Sequence, residues 1–413
     1  MIVINRYTLD NGLRIVHNED LTTQMVAINV AYNVGARDEA PSRTGFAHLF
    51  EHLMFGGSVN IPDYDMPVQC AGGENNAWTT NDLTNYYLTL PKQNVEVGFW
   101  LESDRMLGLA FSPESLEVQR GVVMEEFKQR HLNQPYGDAI HLVRSLAYKV
   151  HPYRWPTIGL ELNHIADATL KEVKDFYYNF YAPNNAVLSV TGHITFDEVK
   201  RLAQKWFGPI PSRQVHKPHL IQEPEQTAIR RMEVERCVPL DTLYMAFHTC
   251  PRLHPDYYAV DMLSDLLANG SSSRLIRHLV KERQVFSQID AYITGSIDAG
   301  LLQITGKPSP GISLSQAEEA VWEELTILTR TSFDEKELEK VKNRYEAEQT
   351  FKGTNFLNNA VNMAYFELLE CPDEVNKEVT LYRAVSSDDL NRVATHIFRL
   401  ENCSVLYYKS RLN

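Results

Sequence analysis

His48, Glu51 and His52 stand in an H-x-x-E-H arrangement within Gly45 to Phe55. On a helix, side chains at i, i+3 and i+4 share one face, so two imidazoles and a carboxylate would converge on one point. Neutral imidazoles suit Zn²⁺, and a catalytic zinc keeps three protein ligands and one open position for water. A glutamate one turn from a ligand can take a proton from that water as it attacks a carbonyl. These residues therefore point to metal-assisted hydrolysis, in the reverse order of the commoner H-E-x-x-H. In a chain with 14 His among 413 residues, chance produces such a string in roughly a few per cent of cases, so its surroundings must decide. Phe46, Leu49, Phe50, Leu53 and Met54 give the segment an apolar stripe that a plain core helix would also need. A plain core helix does not explain two His and one Glu together on an otherwise apolar helix, because such groups are seldom buried without partners.

Two histidines alone seldom hold a catalytic zinc, so a third ligand must come from another element. Val118 to Phe127 offers two adjacent carboxylates, Glu125 and Glu126, at the end of an apolar helical stretch. Periodicity does not separate them, and without the histidines they would read as a solvated acidic pair.

The elements that must position these residues are legible in outline. Val3 to Leu9, the turn Asp10-Asn11-Gly12 and Leu13 to Val16 predict a hairpin. Leu83 to Leu90 reads as a strand and Asn94 to Leu107 as a helix. Ser112-Pro113 caps a further helix through about Gln129, and later helices are expected near 257–267, 314–328 and 334–369. The Pro-rich stretch from Gly208 to Gln226 divides the chain almost in half. The halves end alike. Thr169 to Glu172 and Ser386 to Asp389 both read as capping boxes, each followed by a helix, an asparagine (Asn185, Asn402) and a strand. A duplicated domain is the natural inference. The expected fold is α+β, in two similar domains, each a mainly antiparallel sheet with helices on one face. Residues 1–212 would form the metal-binding domain, 213–226 a linker, and 227–413 the second domain without the zinc motif.

A net charge of -13 argues against nucleic acid or an anionic membrane as partner and weakly favours basic or neutral peptides. No basic segment with an apolar core precedes the first strand and no run of 18 apolar residues occurs, so a cytoplasmic location is expected. Five cysteines, odd in number and without a C-x-x-C pair, predict reduced and mostly buried thiols.

HLFEHLMFGG from His48, GGENNAWTTNDLTNYY at 72 to 87, QRGVVMEEF from Gln119 and HPYRWPTIG at 151 to 159 give the whole chain a specific resemblance. It resembles the pitrilysin-like, or inverzincin, zinc peptidases. The similarity is to their short two-domain branch, which includes bacterial processing peptidases and the mitochondrial processing peptidase beta-type subunit. That resemblance implies one Zn²⁺ per chain held by His48, His52 and Glu126, with Glu51 as general base. It implies that Asn76 and Ala77 belong to an edge strand that captures peptide by β-augmentation. Gln119 stands where the family usually has a further glutamate on the same helix face, and an amide there supplies no negative charge near the metal, which would lower metal affinity or activity. Val280 and Ser287 stand where the family's second domain usually offers an arginine and a tyrosine to the substrate. The chain then resembles the zinc-bearing subunit of a heterodimer whose partner supplies that pair, with a homodimer or compensation by Lys281, Arg283 or Tyr292 as the other routes. The expected activity is endopeptidase hydrolysis of peptides or unfolded segments inside a dimeric chamber. Alternatives are a non-catalytic core or assembly subunit of the same fold, and the much shorter autoinducer-synthesising lyase that shares the motif.

Overall fold

Gly12 takes φ 87°, which lets Asn5–Thr8 turn back onto Arg14–Glu19 with Thr8 opposite Arg14, in a computed structural model that describes residues 2–411. In chain order the strands are β1 (Asn5–Thr8), β2 (Arg14–Glu19), β3 (Met25–Tyr32), β4 (Glu74–Thr79), β5 (Thr84–Pro91), β6 (Ala186–Gly192), β7 (Arg230–Arg236), β8 (Thr242–His248), β9 (Phe286–Ile293), β10 (Leu301–Pro308) and β11 (Cys403–Ser410). The α-helices are α1 (Phe46–Leu53), α2 (Asp65–Cys70), α3 (Val95–Leu107), α4 (Pro113–Phe127), α5 (Ala139–Ala147), α6 (Leu162–Ala166), α7 (Leu170–Phe180), α8 (Phe196–Trp206), α9 (Tyr257–Ala268), α10 (Leu314–Arg330), α11 (Glu335–Lys352), α12 (Phe356–Leu368), α13 (Glu378–Ala384) and α14 (Ser387–Ile397). The single helix expected over 334–369 is two. Gly353 ends α11, and the Asn355 side chain accepts from the N–H groups of Leu357 and Asn358 to start α12.

Two compact units form, each from three stretches of chain. The first takes Met1–Lys128, Trp155–Leu220 and Gln349–Glu378. Its sheet runs β1-β2-β6-β3-β5-β4, antiparallel except where β2 meets β6. Ile15, Val26, Ile28, Val30 and Leu88 point to one face, under α1, α3, α7 and α8. Val16, Ala31 and Val187, of opposite parity on the central strands, pack against Met363, Ala364 and Leu368 of α12. The second face is therefore covered too, by one helix from late in the chain. Central strands that are apolar on both sides require it.

The second unit takes Gln129–Arg154, Ile221–Glu348 and Val379–Asn413. Its sheet, β7-β11-β8-β10-β9, repeats the order β2-β6-β3-β5-β4, and again only one pair, β7 with β11, is parallel. Leu243, Met245 and Phe247 face a core with α9, α10 and α14, while Ala246, Leu406 and Tyr408 pack against Ala139, Val143 and Ala147 of α5. The units thus depart from the expected boundaries in chain order: Gln129–Arg154 joins the second unit and Gln349–Glu378 the first. Each of these segments carries the helix that covers its unit's outer apolar face.

The repeat extends to single hydrogen bonds. Both capping boxes form, Thr169 with Glu172 and Ser386 with Asp389. Asn185 Nδ2 donates to Phe180 O at the end of α7, and Asn402 Nδ2 to Ile397 O at the end of α14. The five cysteines are free, but the expectation of mostly buried thiols fails, since Cys70 and Cys237 are exposed and only Cys403 is buried. Cys70 sits in the last turn of α2, a helix whose single buried residue is Val68. No helix among the described residues is long and apolar enough to cross a membrane.

Candidate metal centre

An isolated eight-residue helix is unstable in water, so α1 must be held by its surroundings. Leu49 and Phe50 are fully buried, and Tyr86 donates its hydroxyl to Phe50 O at 3.2 Å. At its start Gly45 takes φ 89°, and a Cβ there would stand 2.8 Å from Ile158 O. Glycine leaves no capping side chain. The first N–H groups are taken instead by the buried Glu39, whose Oε2 accepts from Gly45 (2.9 Å) and Oε1 from Ala47 (2.8 Å). Burial pushes the Glu39 carboxyl well up from its usual range, and those two N–H groups oppose the shift. Glu39 was not singled out from the sequence, because its role depends on a contact six residues ahead of the helix cap.

The helix brings His48 and His52 to one point, with ring centroids 4.9 Å apart at 87°. On α4, Ser112 accepts from Ser115 N and Pro113 opens the first turn, so the helix begins as its sequence expects. Glu126 in its last turn places Oε2 3.5 Å from His48 Nε2 and 3.4 Å from His52 Nε2. Among the described residues these three are the only cluster of His, Cys, Asp or Glu suited to a metal ion, their ligand atoms lying within 4.8 Å of one another. Zinc bonds of about 2.0–2.1 Å at tetrahedral angles put ligand atoms roughly 3.3–3.4 Å apart. Both carboxylate separations match that edge, and two imidazoles with one carboxylate are a donor set that fits zinc. Glu125 turns away, its side chain 62% exposed and 2.5 Å from Lys128 Nζ. Periodicity could not separate the two glutamates because only Leu116 and Val123 of α4 are buried, leaving little apolar stripe to phase the helix.

Glu51 Oε2 accepts from Thr79 Oγ1 at 2.6 Å. Thr79 ends β4, the edge strand of its sheet, and was not singled out from the sequence; a hydroxyl two positions beyond Ala77 was the only signal. Asn76 is exposed on the same strand and its Oδ1 accepts from Ala77 N at 2.8 Å. Gln119 lies two turns before Glu126 on α4, with Nε2 3.9 Å from where a Cβ on Gly56 would be, just beyond α1. In the second unit Val280 packs against the core, while exposed Ser287 donates to Lys307 O. Lys281 donates to Ser271 O, Arg283 pairs with Glu323, and Tyr292 bonds Gln303. At the place in the second sheet's topology that α1 holds in the first, α9 carries no histidine and buries Ala259, Val260, Met262 and Leu263.

Comparison with known proteins matches the two halves to two different family descriptions. Residues 14–159 match the family described as Insulinase (Peptidase family M16), and residues 167–345 match the Peptidase M16 inactive domain. The chain is 29% identical over 348 residues to the zinc protease PqqE of Helicobacter pylori, covering 83% of this chain and 78% of that protein. It is 27% identical over 406 residues to the uncharacterized zinc protease YmxG of Bacillus subtilis, covering 96% of each. A crystal structure of a protease from Helicobacter pylori superposes with a TM-score of 0.94 at 27% identity, covering 99% of this chain and 100% of that one. From its metal-motif half to its motif-free half, the chain belongs to peptidase family M16, the insulinase and pitrilysin-like proteins.

Proposed function

We propose that this protein is a zinc-dependent endopeptidase in which His48, His52 and Glu126 hold one Zn²⁺ and Glu51 is the general base. The observation that carries the reading is the Glu126 oxygen standing 3.5 and 3.4 Å from the two histidine nitrogens, the spacing of a tetrahedral edge. Zinc, when bound, supplies a Lewis acid for the scissile carbonyl and lowers the pKa of the attacking water. Glu51 takes the proton as the water oxygen bonds to the carbonyl carbon, then delivers it to the amine nitrogen as the C–N bond breaks. Asn76 and Ala77 sit on an edge strand and are the positions at which an extended peptide would pair with β4. Gln119, an amide two turns from Glu126, withholds a second negative charge from the neighbourhood of the metal. A half-buried valine at 280 and a serine at 287, where an arginine and a tyrosine would be expected, support a heterodimer whose related subunit supplies that pair, enclosing substrate in a chamber.

Metal analysis and a quenched-fluorescence peptide assay on wild type and Glu51→Gln test this. Zinc in both with turnover in wild type alone is expected. Equal turnover removes Glu51 from its role, and no metal in either favours a non-catalytic scaffold.

A further inference from the structure

We propose that Thr79 is the positioning residue for Glu51, holding the general base from the edge strand through its hydroxyl; this deepens the hydrolytic reading and rests on it. A glutamate on a helix has three side-chain torsions to fix before it can meet a water in line. The Thr79 Oγ1 donor, 2.6 Å from Glu51 Oε2, fixes one carboxylate oxygen while leaving the group an acceptor.

That donor is itself firmly placed. Thr79 pairs with Thr84 of β5, and the turn beyond it is closed by Thr80 N donating to Leu83 O at 2.9 Å. The same turn is pinned from outside. Ala36 N donates to Thr80 O at 3.1 Å, Arg37 N to Asn81 O at 2.9 Å, and the Arg37 guanidinium pairs with Asp82 at 2.9 Å. Trp155 Nε1 in turn donates to Ala36 O at 2.8 Å. Two residues after Arg37, Glu39 receives the first N–H groups of α1. One loop, Gly35 to Glu39, therefore references both the strand end that carries Thr79 and the helix start that carries Glu51. The separation of hydroxyl and base is set by that loop rather than by α1 or β4 alone.

Thr79 is also two residues from Ala77 on the same strand, so the two share a side of it. A peptide paired with β4 would thus be registered on the strand that aims the base.

The test compares Thr79→Val, which keeps shape and loses the donor, Thr79→Ala as a second donorless variant, and Thr79→Ser, which keeps the donor. Zinc content, melting midpoint, kcat and KM on a quenched-fluorescence peptide are measured, with crystal structures of metal-free wild type and Thr79→Val. Zinc content unchanged, KM within about 2-fold, and kcat lower by about 10- to 100-fold in Val and Ala are expected, part of the 10²–10⁴ that a general base contributes. Ser should restore kcat to within about 3-fold of wild type, and Glu51 should leave its wild-type rotamer in Thr79→Val. Thr79→Val with kcat within about 2-fold of wild type, while Glu51→Gln is inactive, overturns this inference and leaves the base intact. Equal losses in Ser and Val overturn it as well, since the hydroxyl would then be irrelevant. A wild type without turnover even when co-purified with the related subunit overturns the hydrolytic reading itself, and an unmoved Glu51 in Thr79→Val then refutes the positioning role separately.

Discussion

Glu126 presents a carboxylate oxygen to two imidazole nitrogens at 3.5 and 3.4 Å, while its neighbour Glu125 meets Lys128 in solvent. A surface ion pair of that kind is worth about 0–1 kcal/mol, whereas a carboxylate facing two imidazole nitrogens would contribute charge and a bond to any cation held between them. Glu126→Gln keeps the shape but loses the charge. It is expected to weaken zinc affinity by more than about 100-fold, beyond the range seen for supporting residues. Glu125→Gln should stay within about 2-fold. Competition with a chromogenic chelator checks both, and comparable losses in the two would contradict the ligand assignment. Here the histidine spacing was readable because it repeats within one helical turn. The choice of Glu126 over Glu125 came only from the family resemblance and not from periodicity, since it depends on how α4 is rotated against α1.

At the scale of elements, the short metal-motif helix borrows its stability from distant groups: Glu39 at its start and, just before it, Arg43 paired with Glu172 at 2.8 Å. Glu172 closes the capping box of α7, and the Thr169 N–H, then the Thr169 hydroxyl and Arg43, pull its carboxyl down to about 2 from an ordinary value of 4.5. A carboxylate whose pKa is lower in the folded state stabilises above its unfolded value and loses that contribution as the pH falls through its folded one. The stabilisation is thus complete above about pH 4.5 and lost progressively toward pH 2. Glu172→Gln should lower the melting midpoint at pH 7, and the gap from wild type should narrow between pH 4.5 and 3; a gap constant with pH would count against this account. Capping boxes were legible because they are local patterns of four residues. The break between α11 and α12 was missed because helical residues continue on both sides of Gly353 and Asn355, which together end one helix and start the next.

For the molecule as a whole, the two sheets share one strand order and diverge in chemistry, the first carrying the metal motif and the second an apolar α9 in the corresponding place. Val280, half-buried against the second unit's core, offers a substrate neither a side-chain hydrogen-bond donor nor a charge. The chain purified alone is therefore expected to bind zinc but to turn over peptides at least about 10-fold more slowly than when co-purified with a related subunit that carries the arginine and tyrosine. Light scattering paired with the peptide assay checks this, and a homodimer with full activity would refute it.

By itself the sequence determined what is local or periodic: the H-x-x-E-H face, the opening hairpin, the capping boxes and the duplication they mark. Tertiary structure alone decided what depends on long-range packing. It put Glu39 at the head of α1 and fixed the rotation of α4 that sets Glu126, the glutamate the family resemblance implies, beside the histidines. It also set Thr79 against Glu51 and gave Gln129–Arg154 and Gln349–Glu378 to units other than chain order suggests. The physical reason is the same in each case. A helix or strand repeats its faces every few residues, but which side chain meets a partner on another element depends on which apolar face has to be covered.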